Sequence, residues 1–215
     1  MMNKKLFGFL IFCSCSLFSQ NQDLTSAIIA LDNKRDLVSA KEAIDNATVK
    51  IESGSSLKAK KMSKYYHYLG KIYLSVFEKV WFNADGDPDF SDLDIAINAF
   101  LSDANLSASH SKKSLIQLNR CINLYQDAAY KDNEAKNYKD SELKFEKIIT
   151  INGADPIQKQ DTLNMYNAAV MASLDENYEK VVFWASKLIQ INMLEEKYHR
   201  LLIEGYSQIG DLDKE

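Results

Sequence analysis

Tyr66-His67-Tyr68-Leu69-Gly70-Lys71-Ile72-Tyr73 decides how this chain folds. It places an aromatic residue, then Leu-Gly three residues on, then a tyrosine three further, along one face of a predicted helix. A glycine inside a helix costs about 1 kcal/mol relative to alanine, so Gly70 calls for a compensating contact. A second helix packed too closely to admit any side chain would supply it. The stretch therefore predicts a helix pressed against another helix.

The same motif has weaker copies along the chain. The spacing Tyr66-x-x-Leu69-Gly70-x-x-Tyr73 resembles the first helix of a tetratricopeptide repeat, whose pattern begins W-x2-L-G-x2-Y. The second helix of such a unit is similar to A-x3-F-x2-A, and four places answer to it. Ala40 leads to Ile44 and Ala47, Ala96 to Phe100, Ser141 to Phe145 and Ile148, and Val181 to Ala185 and Leu188. A fifth start, Gly210-Asp211-Leu212-Asp213-Lys214, stands at the end of the sequence. The small positions Ala40, Ala96, Ser141, Val181 and Glu215 are spaced 56, 45, 40 and 34 residues apart. Only the last interval equals the ideal period of about 34; the others predict longer helices or insertions.

Matching first helices are expected over Leu24 to Leu31, Ala59 to Val80, Leu115 to Asn133, Asp161 to Leu174 and Glu195 to Ile209, each with apolar residues three and four apart. In the fourth, Ala168-Ala169 replaces Leu-Gly; in the fifth, Leu202 and Tyr206 keep the spacing. Asn152-Gly153-Ala154-Asp155-Pro156 and Ser53-Gly54-Ser55-Ser56 are turns between hairpins. The expected fold is all-α: an α-solenoid of antiparallel helical hairpins, which the resemblance implies is wound as a right-handed superhelix. It covers residues 20–215 in about five hairpins with the last incomplete, either capped by something else or opening a longer array.

Composition agrees. Two prolines and seven glycines in 215 residues favour long helices over a turn-rich β fold. With 26 basic and 30 acidic residues there is no basic footprint, which argues against nucleic acid and anionic membrane surfaces as partners.

Residues 1–19 are predicted to be a signal peptide. Lys4 and Lys5 form a positive start, Leu6 to Phe12 an apolar run extending to Phe18, and small residues allow cleavage after Ser16 or Ser19. The expected location is outside the cytoplasm, periplasmic or outer-membrane associated. The Lys/Asn/Ile/Ser-rich leader with its Phe-Ser-Gln junction is similar to those of the Bacteroidetes group. Cleavage would leave Cys121 alone, excluding an internal disulfide, and its place among Leu118, Ile122 and Tyr125 suits a buried thiol. Acylation at Cys15 would instead anchor the protein to a membrane, although Cys15 follows Phe12-Cys13-Ser14 rather than a run of small residues.

Chemistry is sparse. Asp85, Asp87 and Asp89 resemble the alternating ligands of a calcium loop. Phe90, however, occupies the position that needs glycine, and Ala96 the position of the closing glutamate. A solvated loop, with Ser91 or Asp92 capping the next helix, is the alternative. His67, His110 and His199 have no cysteine or carboxylate at metal spacing. No phosphate loop, nucleophile elbow or H-E-x-x-H occurs. The expectation is a non-enzymatic protein with no cofactor and no metal.

Tyr66, Tyr73, Phe100, Phe145 and Tyr206 read as core. A tetratricopeptide array carries a groove lined by successive first helices. The resemblance places Lys64, His67 and Lys71 in it from one repeat, Tyr166, Asn167 and Val170 from another, and Lys197 and Arg200 from the last. Their lysines and arginine would suit an acidic peptide or a C-terminal carboxylate. The function this implies is a protein- or peptide-binding scaffold of the bacterial cell envelope. The alternative is a surface lipoprotein that captures a glycan or peptide for uptake.

Overall fold

Helices fill both compact units into which the chain divides, Met1–Cys121 and Ile122–Glu215. The computed structural model describes residues 22–54, 58–83, 86–192 and 194–210. The predicted leader with Cys13 and Cys15, Asp85 of the aspartate loop, and residues 211–215 of the expected fifth second helix lie outside them. Among the described residues there is no strand.

The first unit holds α1 (22–29, continuing as a π-helical turn over Ala30–Lys34), α2 (Leu37–Glu52), α3 (Ala59–Asn83) and α4 (Phe90–Asn105). Helix α5 (Ser111–Glu134) begins in the first unit and ends in the second. The second unit continues with α6 (Tyr138–Gly153), α7 (Thr162–Leu174), α8 (Tyr178–Ile191) and α9 (Glu196–Ile209). Sequential neighbours pack on one another within each unit, and α7 also touches α9. The fold is all-α, a succession of antiparallel helical hairpins consistent with tetratricopeptide-like repeats. The long intervals early in the chain have a simple cause: α3 runs for 25 residues and α5 for 24.

The turns from first to second helix repeat one device. Arg35, Lys136 and Glu176 take left-handed backbone angles (φ of 54°, 62° and 58°) within two residues of the ends of α1, α5 and α7. The next amide then reaches back into the helix just ended: Asp36 to the Ala30 carbonyl (2.9 Å), Asn137 to Asp132 (2.8 Å) and Asn177 to Ala172 (2.9 Å). This satisfies carbonyls that a helix end leaves unpaired. Asp36 and Asn177 also cap the following helix, accepting from the amides of Ser39 (3.1 Å) and Lys180 (3.4 Å). Gly210 adopts the same left-handed geometry after α9. The link between α3 and α4 is the exception. There Asp89, rather than Ser91 or Asp92, caps the helix, accepting from the Ser91 amide at 2.8 Å, and Phe90 is its first residue.

Packing follows the small-then-large pattern. Ala40, Ala96, Ser141 and Val181 are fully buried, and so are Ile44, Phe100, Ile148, Ala185 and Leu188, with Phe145 at 1% exposure. Each such large apolar side chain contributes about 1.5–3 kcal/mol on leaving water. Ser141 fills a position that needs a small residue because its hydroxyl donates to the Ala129 carbonyl at 2.8 Å. Ala168 and Ala169 are both fully buried, as close helix approach requires, and Cys121 is a buried free thiol pushed up to about 12 by burial.

Helix α9 corrects the expected register. Its buried face is Tyr198, Leu201 and Gly205, while Leu202 and Tyr206 are half-buried. Gly205 fixes the choice: a Cβ there would meet Val182 Cγ2 at 2.7 Å and the Val182 amide nitrogen at 3.3 Å.

Candidate partner-binding groove

The opening stretch supplies the floor of an open groove of about 440 Å³ in the first unit. Tyr66, Leu69 and Tyr73 recur three and four residues apart, so they lie along one face of α3. Helix α2 forms one wall with Asp45, Thr48, Val49 and Glu52, and α4 the other with Ile95, Asn98 and Ser102. Val49, at 65% exposure, and the exposed Ile95 and Asn98 flank the mouth.

Some of its polar groups are already committed. The Tyr65 hydroxyl donates to Thr48 Oγ1 at 2.8 Å, and Thr48 donates to the Ile44 carbonyl at 2.9 Å. Burial pushes Tyr65 up to about 12, with the charge of Glu52 adding to the effect. At the other end Tyr73 donates to Asp45 Oδ1 (2.6 Å), and Lys41 Nζ reaches Asp45 Oδ2 (3.2 Å) and the Tyr73 hydroxyl (3.1 Å). Lys41 also sits 4.4 Å from the centre of the Tyr73 ring. This trio stands between the groove and a second open pocket of about 600 Å³, lined by Leu37, Val38, Val76 and Val80 together with the charged Glu42 and Lys79.

Other groups are uncommitted. The Tyr66 hydroxyl, the Asn98 amide and the Glu52 carboxylate make no hydrogen bond among the described residues. Together with the apolar Val49, Leu69 and Ile95, they can grip a flexible chain by side-chain packing and by directional hydrogen bonds.

The residues placed in the binding groove from sequence sit elsewhere. His67 is buried at 7% exposure, a correction to its expected place on an open face. Its ring packs 6.3 Å from Phe100 and stacks on His110 at 5.2 Å, and Nδ1 lies 2.9 Å from Ser114 Oγ. Ser114 in turn donates to Asp103 Oδ2 at 2.5 Å. With the serine proton spent on Asp103, His67 must donate through Nδ1–H. The serine stands between acid and imidazole, all three are buried, and the imidazole takes no proton from the hydroxyl, the reverse of a nucleophile's wiring.

Lys71 pairs with Asp32 at 2.6 Å, where Tyr68 also donates to the same carboxylate at 2.8 Å, tying α3 to α1. Lys64 is exposed on α3 and lines no part of the groove. In the second unit, Lys197 lies over the rings of Tyr166 (5.1 Å) and Tyr198 (5.3 Å). Arg200 pairs with Glu196 one turn away at 2.7 Å, and Asn167 and Val170 are half-buried on α7. Thus Tyr166 and Lys197 meet, while on the shared face of α3 Lys64 is exposed, His67 is buried and Lys71 is held by Asp32.

Sequence reasoning missed Asp45, Glu52 and Asn98. A signal existed: Asp45 and Glu52 are seven apart on one face of α2, and Ile95, Asn98 and Ser102 share a face of α4. Among the described residues no group of three or more His, Cys, Asp or Glu side chains is placed to hold a metal, and no helix is long and apolar enough to cross a membrane.

No family model and no curated protein matches the sequence. Among solved structures, a tetratricopeptide repeat protein from Parabacteroides merdae ATCC 43184 is similar at 17% identity, covering 90% of this chain and 74% of the other, with a TM-score of 0.32. So loose a superposition carries no weight; the architecture rests on the helices themselves.

Proposed function

We propose that the chain is a non-catalytic binding module, a helical-repeat scaffold that holds a protein or peptide segment in the groove of α2, α3 and α4. One observation carries this reading: the open groove is floored by the repeat motif itself and presents three uncommitted polar groups between apolar walls. The groove therefore replaces the lysine-rich surface expected from sequence as the place to look. The leader over residues 1–19 supports export, so the partner belongs to the cell envelope, and the Bacteroidetes-like style of that leader suggests the kind of host.

A photocrosslinking residue at position 66 or 98 of the full chain, expressed in such a host, tests the site. Crosslinks to one protein from both positions, and none from position 64, are expected. Crosslinking from position 64 alone would move the site away from the groove. The mass of the mature N-terminus from the same cells checks cleavage against acylation at Cys15.

A further inference from the structure

Resting on that reading, we infer that the groove takes a basic segment of its partner, with a lysine or arginine seated between Tyr66 and Glu52. The charged side chains lining the groove are Asp45 and Glu52, both acidic. Lys41, the cation bonded at the Asp45 end, is spent on Asp45 and Tyr73. Asp92, at the start of α4, adds to the acidic side: its carboxyl senses both Asp45 and Lys41, and burial pushes it up. Two carboxylates therefore share one lysine at that end, and at the other Glu52 forms no ion pair among the described residues.

The aromatic floor suits the same occupant. The Tyr65 and Tyr66 rings lie 5.2 Å apart and tilted by 50°, so they present an aromatic face beside Glu52. A guanidinium or ammonium over that face gains the ring's attraction and can extend to a carboxylate, forming a charge-assisted hydrogen bond. The Asn98 amide opposite can donate through its NH₂ and accept at its carbonyl oxygen, and so can pair with both the C=O and the N–H of one peptide unit. An acidic segment would meet uncompensated negative charge at Glu52 and no free cation in the walls. The expected partner is thus opposite in sign to the one a lysine-lined surface would select.

The test uses the full chain and three fluorescent peptides of equal length, one lysine- and arginine-rich, one with glutamate in those places and one with glutamine. Anisotropy should show the basic peptide binding at least about tenfold tighter than either other, with affinity falling as salt rises. Glu52→Lys, at an exposed position, and Tyr66→Ala should each weaken it about tenfold. Glu134→Lys, with the same change of net charge on exposed surface of α5, should leave it unchanged. Equal weakening by Glu134→Lys would mean bulk attraction and overturn the inference. Neutral or acidic peptides binding equally well, yet still lost with Tyr66→Ala, would overturn the charge preference and leave the groove standing. Peptides of no charge class binding, with position 66 crosslinking nothing, would remove the groove as a site altogether.

Discussion

Gly70 lies against the ring of Phe100: a Cβ built on Gly70 would fall 2.5 Å from Cε1 and 2.7 Å from Cδ1 and Cζ. Phe100 is fully buried, so its ring has nowhere to retreat. Alanine at position 70 would gain about 1 kcal/mol of helix propensity, while overpacking of this kind costs about 1–3 kcal/mol. Gly70→Ala should therefore be net destabilising and Gly70→Leu more so. Phe100→Leu, itself costly, should recover part of the loss when combined with Gly70→Ala. Urea unfolding of the four proteins in the cycle gives the coupling. A Gly70→Ala protein that melts above the parent would show that the ring contact is not what holds glycine there.

His67 makes stability depend on acid. Burial, chiefly, and the neighbouring His110 lower it from 6.5 to about 4, against the pull of Asp103 and with Lys71 and Lys113 adding to the depression. Between those values the unfolded chain binds the proton that the folded chain refuses. Stability should be constant above about pH 6.5, fall as pH drops toward about 4, and level off below, a total of up to about 3 kcal/mol. His110, lowered mainly by its own burial, acts in the same direction. An NMR titration resolves the two imidazoles. A His67 midpoint near 6.5, or urea midpoints unchanged from pH 7 to 5, would show that the buried ring is not held neutral.

Legibility in the sequence stopped where the answer depended on distant residues. The second-helix positions Ala96 and Phe100 were readable because a fixed spacing puts both on one face of a single helix. His67 was not, since its partners Ser114 and His110 come from beyond the next helix and only packing brings them near. Helix α9 was misread by one residue because Leu201 and Leu202 fit the periodicity equally well, and Gly205, which decides between them, acts through Val182 on another helix. The groove was hidden for a related reason. Tyr66, Leu69 and Tyr73 look like core from their spacing, and whether their outer edge stays open is set by how α2 and α4 flank α3.

That corrected register makes its own prediction. With Gly205 against Val182 Cγ2 at 2.7 Å, Gly205→Ala should destabilise the second unit despite its better helix propensity. The half-buried Val182 can be shortened, so Val182→Ala in the same chain should restore most of the loss. Leu202→Ala should cost less than Leu201→Ala, whose side chain is buried. Hydrogen exchange of the α9 amides would follow these changes; equal protection in Gly205→Ala and parent would return the register to Leu202 and Tyr206.

Glu142 and Lys180 should respond to substitution as an unequal pair. Glu142 is 2% exposed, and its Oε1 lies 3.5 Å from Lys180 Nζ, which also pairs with Glu146. Burial pushes the Glu142 carboxyl up, and Lys180 holds it back; burial pulls Lys180 down, but its bond to Glu146 more than offsets that. Lys180→Met would leave a buried carboxylate without its cation, at about 2 kcal/mol after allowing for the solvent that reaches Lys180. Because the folded chain holds the Glu142 proton to higher pH than the unfolded chain does, that loss should be greatest at neutral pH and shrink as acid protonates the carboxyl. Adding Glu142→Gln to Lys180→Met should restore stability at pH 7 and flatten the dependence. Denaturant midpoints at pH 7 and pH 5 decide the matter: an equal loss at both, unrelieved by Glu142→Gln, would place the role of Lys180 with Glu146 alone.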